Sequence, residues 1–378
     1  MKYVDLKSYI TYVSRGITPK YVNSEGILVI NQRCIRNGQI DFSYARLTSK
    51  QKSYTEAKFL EPGDILINST GTGTLGRIAL FKGNDQKVLA DSHVSIVRIS
   101  QEYDTRFVAH YLYSKEAYIA TLGKGATNQQ ELSKEAIYSI PVPKITVDKQ
   151  SKIAEILSAY DDLIENNQKQ IKLLEEAAMR LYKEWFVKLR FPGHENTKIV
   201  DGVPEGWRLG RVSELAEFKR GKTITKKNAK DGNVPVVAGG LEPAYFHNVA
   251  NTVAPVITIS ASGANAGYTR LYNTDIWASD CSYIDASYGD KLYFIYTFLK
   301  NNKEVIDNLQ RGAAQPHVYA KDINALSTYI PESTIMEPFC NLVAPLFKKI
   351  AVQERLISEL KQARDKLLPK LMSGEIEV

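Results

Sequence analysis

KQSKIAEILSAYDDLIENNQKQIKLLEEAAMRLYKEWFVKL, Lys149 to Leu189, and PFCNLVAPLFKKIAVQERLISELKQARDKLLPKLM, Pro338 to Met372, are the stretches whose reading decides the fold. Both place apolar residues three and four apart, the signature of a long amphipathic helix. Laid over one another they superpose at a constant shift of 186 (350 − 164, for example): Ile164 on Ile350, Ile171 on Ile357, Leu174 on Leu360, Leu181 on Leu367. The heptads are clean. Leu157, Ile164, Ile171, Ala178 and Trp185 share one seam position, and Tyr160, Asn167, Leu174 and Leu181 the other. The second helix offers Val343, Ile350, Ile357, Arg364 and Leu371, then Phe339, Leu346, Gln353, Leu360 and Leu367. Asn167 and Gln353 interrupt the seam at the same repeat position, as register-setting polar residues do in coiled coils. The expectation is an antiparallel, coiled-coil-like pair, each helix roughly 60 Å long for about 40 residues. The competing reading places both helices inside one compact helical core.

Outward from the helices, the chain reads as one unit written twice. Residues 1–146 form a first head, 147–190 a long helix, 191–333 a second head and 334–378 a second long helix, an α+β architecture with an internal repeat. In the first head GILVIN, GDILIN, GRIALF and HVSIVRI read as strands, and TRFVAHYLYSKEAYIATL as helix stopping at Gly123. SIPVPKI is extended because proline disfavours helix in the residue before it. RFPGHENTKIVDGVPEGWRLG is a polar, Gly- and Pro-rich connector. In the second head PVVAGG, APVITIS and CSYIDAS are the strand candidates. INSTGTGTLGRIAL aligns with ITISASGANAGYTRL, setting Ser69 on Ser260 and Gly76 on Gly267, and GKGATNQQ aligns with RGAAQPH, setting Gly125 on Gly312. A duplicated pair of heads is the geometry that duplex DNA invites.

Bulk properties agree with such a partner. The 378 residues carry a net charge of +7 and a pI near 9.0, a lean toward polyanions. Three scattered cysteines, Cys34, Cys281 and Cys340, suggest neither a disulfide framework nor a zinc knuckle, and point to a reducing cytoplasm. The N-terminus has no apolar signal core, and no stretch approaches the length of a membrane span.

Motifs that suggest catalysis fail on context. GTGTLG at Gly71–Gly76 matches a dinucleotide fingerprint, but RIALF after it reads as strand, not as the helix whose N-terminus would face a pyrophosphate. A tight turn bringing backbone N–H groups near a phosphate accounts for the glycines better. GKT at Gly221–Thr223 lacks the first P-loop glycine, Ala216 standing there. His93, His110, His194, His247 and His317 show no metal-ligand spacing. No adenine-methylating Asn-Pro-Pro-Tyr or Asp-Pro-Pro-Tyr run is present, nor a nuclease-type Pro-Asp before Glu-x-Lys.

LVINQRCIRNGQIDF at Leu28–Phe42, LEPGDILINSTGTGTLGRIAL at Leu60–Leu80, LYKEWFVKLRFPG at Leu181–Gly193 and VPEGWRLGRVSEL at Val203–Leu215 resemble the specificity (S) subunit of type I restriction–modification systems, the HsdS family. The likeness spans essentially the whole chain in the order head, helix, head, helix. The resemblance implies two target-recognition domains, each reading half of a bipartite site in double-stranded DNA. It implies helices that set the distance between the halves and bind two methyltransferase (M) subunits, which methylate adenine with S-adenosylmethionine. Restriction (R) subunits, using ATP and Mg, would complete the assembly, and this chain would bind no cofactor or metal and perform no catalysis. Recognition loops vary with the DNA site in this family, so base contacts do not carry over position by position.

Contacts are therefore argued from chemistry. Arg, Lys, Asn and Gln read base edges, and Lys, Arg and small donors hold phosphates. The first head offers Gln32, Arg33, Arg36 and Asn37 beside a turn, and Lys124, Thr127, Asn128 and Gln129 on a glycine-loosened loop. The second offers Lys219, Arg220, Lys222, Lys226 and Lys227, then Asn265, Tyr268 and Arg270, then Arg311, Gln315 and His317. Their clustering on equivalent loops of repeated heads is the argument for them; solvated surface residues and turn caps are the bland alternative for each. Two other functions compete: a non-catalytic coiled-coil adaptor whose heads bind protein, and a self-contained DNA methyltransferase.

Overall fold

The computed structural model describes residues 2–125, 130–312 and 315–378. Four helices carry the architecture: α1 (Thr105–Ser114), α2 (Val147–Tyr182), α3 (Lys291–Asn301) and α4 (Ser333–Ser373). The chain divides into two compact units, residues 1–165 with 357–378, and residues 166–356. The boundary falls inside both long helices, so each unit owns one half of α2 and one half of α4.

In the first unit the main strands are β1 (Ile10–Arg15), β2 (Gly26–Ile30), β3 (Arg46–Ser49), β4 (Ile65–Asn68), β5 (Ile78–Leu80), β6 (Val88–Ala90) and β7 (Val94–Ile99). One sheet runs β1-β7-β4-β5, antiparallel throughout. A second runs β6-β2-β3 and ends on the two-residue strand Tyr21–Val22, with β6 parallel to β2, β3 antiparallel to it and Tyr21–Val22 antiparallel to β3. Asn37 and Gly38 turn a hairpin, both at positive φ, which is why an Asn-Gly pair stands there. Asp104 caps α1 by accepting from the Arg106 and Phe107 amides. The apolar face of α1, through Phe107, Val108, Tyr111 and Leu112, joins Ile153, Leu157, Leu368 and Leu371 of the long helices in one core.

The second unit repeats this plan with β8 (Lys219–Arg220), β9 (Val234–Val237), β10 (Tyr245–His247), β11 (Val256–Ser260), β12 (Thr269–Tyr272), β13 (Trp277–Ala278) and β14 (Cys281–Ile284). Its first sheet runs β8-β14-β11-β12, antiparallel like its counterpart. Its second runs β13-β9-β10, with β13 parallel to β9. The core here is aromatic: Tyr182, Trp185, Phe294, Phe339 and Phe347 gather around α3.

Within each unit the helix halves pair antiparallel. In the first, Arg364 of α4 bonds Asp161 of α2 at 2.5 Å. In the second, Gln353 donates to Gln170, while Phe339, earlier on α4, packs on Tyr182, later on α2. The seam is buried as the heptads require: Leu157, Ile164, Ala178, Val343 and Ile350 are all 3% exposed or less. Gln353 is buried in the seam, and its partner is Gln170.

α4 begins at Ser333, one residue from the expected 334, where the Ile335 and Met336 amides close on the Glu332 carbonyl. One expectation needs correction. The first helix is not uninterrupted to Leu189: α2 ends at Tyr182 and a π turn, Lys183–Val187, follows. That wider turn sits where Trp185 and Phe186 both pack against Phe339.

Candidate nucleic-acid interface

Strand register, not sequence alignment, tells which residues of the two heads are equivalent. Asn68, ending β4, pairs with Val94, and Ser260, ending β11, pairs with Cys281. Gly76 N donates to Asn68 O and Gly267 N to Ser260 O, both at 2.8 Å. Asn68 therefore matches Ser260 while Gly76 matches Gly267, and the second head's loop is one residue shorter. The alignment of Ser69 with Ser260 is corrected by that one residue, a slip that a loop of differing length conceals.

The same logic finds a further matched pair of loops. Gly16 N donates to Val94 O, and Gly221 N to Cys281 O. Both sites demand glycine: a Cβ on Gly16 would lie 2.1 Å from Ala90 O, and on Gly221 2.3 Å from Ser279 O. Asn68 Nδ2 donates to Gln32 O in the first head, and Ser260 Oγ to Gly239 O in the second. So Gln32 corresponds to Gly239, and Gly221 to Gly16. The basic run at Lys219–Lys227 and the Gln32–Asn37 cluster are not on equivalent loops, contrary to expectation.

These loops converge on one mouth in each head. In the first, Thr70 and Lys124 each pair through the backbone with Glu131, Leu132 N donates to Ser69 O, and His93 follows in the turn before β7. In the second, Ser262 and Arg311 each pair with His317, and Asp280 occupies the turn before β14. Gln32 reaches this mouth, its Oε1 buried and without a partner among the described residues, close against Gly71. Lys124 is exposed there. Arg220 is ion-paired to Asp280, and Arg311 to Asp322 at 2.8 Å. His317 stacks on Tyr319 with centroids 6.0 Å apart. Gln315 is exposed beside it, and Asn265 donates to Gly239 O at 3.4 Å. Lys219, Lys222, Lys226 and Lys227 form an exposed basic flank.

Other expected residues lie elsewhere. Arg33 sits over the Tyr44 ring, 5.0 Å from its centroid. Arg36 and Asn37 are on the hairpin beside β5, where Asn37 lines a cavity of about 400 Å³ with Arg106, His110, Asp161 and Arg364. Tyr268 is exposed, and Arg270 is held by Leu241 O at 2.7 Å and Glu242 at 3.6 Å. Thr127, Asn128 and Gln129 lie outside the described residues. Residues that sequence reasoning passed over at the mouths are Arg15, Thr70, His93, Glu131, Ser262 and Asp280. Only strand pairing, through which residues far apart in sequence meet, identifies them.

The three cysteines are free and buried, and burial pushes the Cys34 and Cys340 thiols up to about 11 and Cys281 to about 12. Among the described residues no group of three His, Cys, Asp or Glu is arranged to hold a metal ion, and no helix is long and apolar enough to cross a membrane.

Comparison with known proteins places the repeat in a wider group. The model of the type I restriction modification DNA specificity domain matches twice, at residues 7–176 and 204–362. The MjaIX specificity subunit of a type I restriction enzyme from Methanocaldococcus jannaschii is 30% identical over 302 residues, covering 72% of this chain and 70% of that protein. The putative MjaX specificity subunit from the same organism is 22% identical over 396 residues, covering 99% and 93%. The crystal structure of a type I restriction–modification S subunit from M. genitalium superposes with a TM-score of 0.61 at 18% identity, covering 98% of this chain and 95% of that one.

Proposed function

This chain belongs to the type I restriction–modification DNA specificity family, a DNA-specificity component and not an enzyme, and on that premise we propose how its parts divide the work. The heads at 1–146 and 191–333 are target-recognition domains, each reading one half of a bipartite site in double-stranded DNA. The helices at 147–190 and 334–378 hold two methyltransferase subunits, which methylate adenine using S-adenosylmethionine. Restriction subunits join the same assembly and supply ATP- and Mg-dependent cleavage, in the cytoplasm. The observation that carries this reading is one scaffold built twice with different side chains at the same mouth, which is what two unlike half-sites call for. The basic residues Lys124, Lys219, Lys222, Lys226 and Lys227 are assigned to phosphates, together with Thr127. Gln32, Arg33, Arg36, Asn37, Asn128, Gln129, Arg220, Asn265, Tyr268, Arg270, Arg311, Gln315 and His317 are the pool from which base readers are drawn.

The test is the helical ruler. One heptad adds about 10.5 Å of helix, about three base pairs of DNA axis. Inserting one heptad after Leu174 and another after Leu360 preserves the seam and lengthens both helices together. The recognised half-sites stay the same and the unread spacer between them grows by a few base pairs, read out by mapping methylated adenines. An intact complex that still methylates only the original spacer would sink the proposal.

A further inference from the structure

The two mouths carry the same four kinds of side chain with two of them exchanged. The turn before the shared central strand holds His93 in the first head and Asp280 in the second. The segment that closes the mouth holds Glu131 in the first and His317 in the second, each backbone-paired to the hydroxyl residue of the neighbouring loop. That hydroxyl is kept: Thr70 Oγ1 lies 2.6 Å from His93 Nδ1, and Ser262 Oγ donates to Asp280. An arginine is kept as well, Arg15 opposite Ser95 and Arg220 opposite Ser282 in the matched strand pairs. The arginine follows the acid wherever it goes. Arg15 bonds Glu131 at 2.6 Å, and Arg220 bonds Asp280.

The exchange decides which group is left to meet a ligand. Arg15 is committed: it donates to Ser92 O, Leu132 O and Glu131, and its side chain is 28% exposed. Arg220 donates through one nitrogen to Asp280 and is 47% exposed, so a carboxylate steers it while its other N–H groups have no partner among the described residues. His93 is exposed, with Nδ1 engaged by Thr70 and no partner for Nε2 among the described residues. His317 is instead half-buried and stacked on Tyr319. An oriented guanidinium presents parallel donors that fit N7 and O6 of guanine. An imidazole N–H presents one donor, which fits a single acceptor edge in the major groove.

We infer that this quartet is a specificity determinant of each head: His93 reads a base edge in one half-site, and Arg220, positioned by Asp280, reads one in the other. The inference rests on the DNA reading above. Sharing a scaffold, the heads change sequence preference by moving the acid from one loop to the other, which redirects the arginine kept at the same strand position.

The experiment uses the full chain assembled with the methyltransferase subunit of its system, and duplexes in which each base pair of the methylated site is changed singly. The unaltered complex discriminates at two blocks of positions; a complex indifferent to every change would refute the DNA reading itself. Against that baseline, His93→Ala flattens discrimination at one or two positions of one block by roughly 5- to 150-fold, the range of a good base contact. The other block is untouched. Arg220→Ala does the same in the other block. Asp280→Asn weakens discrimination at the Arg220 positions without lowering affinity for sites already changed there, which a merely structural residue would not do. All three substituted groups reach solvent, so loss of folding is checked by the thermal midpoint of each variant. If both blocks survive His93→Ala and Arg220→Ala, or if affinity falls alike for every sequence, the quartet is not reading bases.

Discussion

At one matched joint, where the head helix meets the long helices, the first unit places a charged cluster and the second unit aromatic rings. His110 on α1 matches Tyr296 on α3, since both lie six residues after the N-cap positions, Asp104 and Asp290. The helix shift likewise matches Asp161 with Phe347 and Arg364 with Ala178. In the first unit Arg364 bonds Asp161 at 2.5 Å, His110 Nδ1 stands 3.6 Å from Asp161, and the Tyr113 ring lies 5.3 Å from the guanidinium. Burial opposes the charge on Arg364, but its bonds to Asp161 and Asp365 outweigh that and raise its pKa. In the second unit Phe347 stacks on Tyr293 at 4.8 Å and meets Tyr296 edge-on at 5.6 Å. The backbone plan tolerates either solution. A buried ion pair recovers little net stability once desolvation is counted, whereas the rings contribute transfer and dispersion energy directly.

The largest break in this comparison is Phe347→Ala. Phe347 is 2% exposed and wedged between two tyrosines, so its loss costs about 3–5 kcal/mol. Hydrogen exchange localises the damage, with α3 amides losing protection and α1 amides keeping theirs; equal loss in both helices would show that the two joints are not independent.

Arg364→Ala comes next. It strands Asp161, and the cost is about 3 kcal/mol, the low end for breaking a buried pair, because the Asp161 side chain keeps 27% exposure. Installing the second unit's residues together sharpens the point. Asp161→Phe with Arg364→Ala and His110→Tyr is expected to be neutral or stabilising by about 1–4 kcal/mol. A urea midpoint for the triple variant below that of Arg364→Ala would mean the joints are not interchangeable.

The smallest effect is in pH. Burial lowers the pKa of His110, with Arg364 and Arg106 pushing the same way and Asp161 opposing. The folded value lies below the unfolded one, so the contribution is complete above the ordinary imidazole range and is lost as pH falls through it, because the unfolded chain takes up the proton first. His110→Gln should reduce the fall in urea midpoint between pH 7.5 and 5.5. Tyr296 gives the second unit no counterpart to this sensitivity. A variant with the same acid slope as the parent would place the titration elsewhere.

The sequence by itself determined the duplication, the α+β class and the helix seam. Heptad spacing is a local property, and a shift of 186 holds wherever no insertion intervenes. The strand cores around Ile65–Asn68, Val94–Ile99 and Val256–Ser260 were legible for the same reason, since β-branched runs between turn residues announce themselves. β8, only Lys219–Arg220, carries no pattern, and its pairing with β14 depends on residues far away. What only the tertiary structure decided is which loops are equivalent. Hydrogen-bond register, not residue identity, matches Gln32 with Gly239 and His93 with Asp280. Insertions in loops shift the sequence count without shifting the ladder, so a linear alignment loses the correspondence that the sheet preserves. The exchange of acid and imidazole between the mouths is invisible in sequence for that reason: its four members are separated along the chain and meet only where the sheet edges and the closing segments come together.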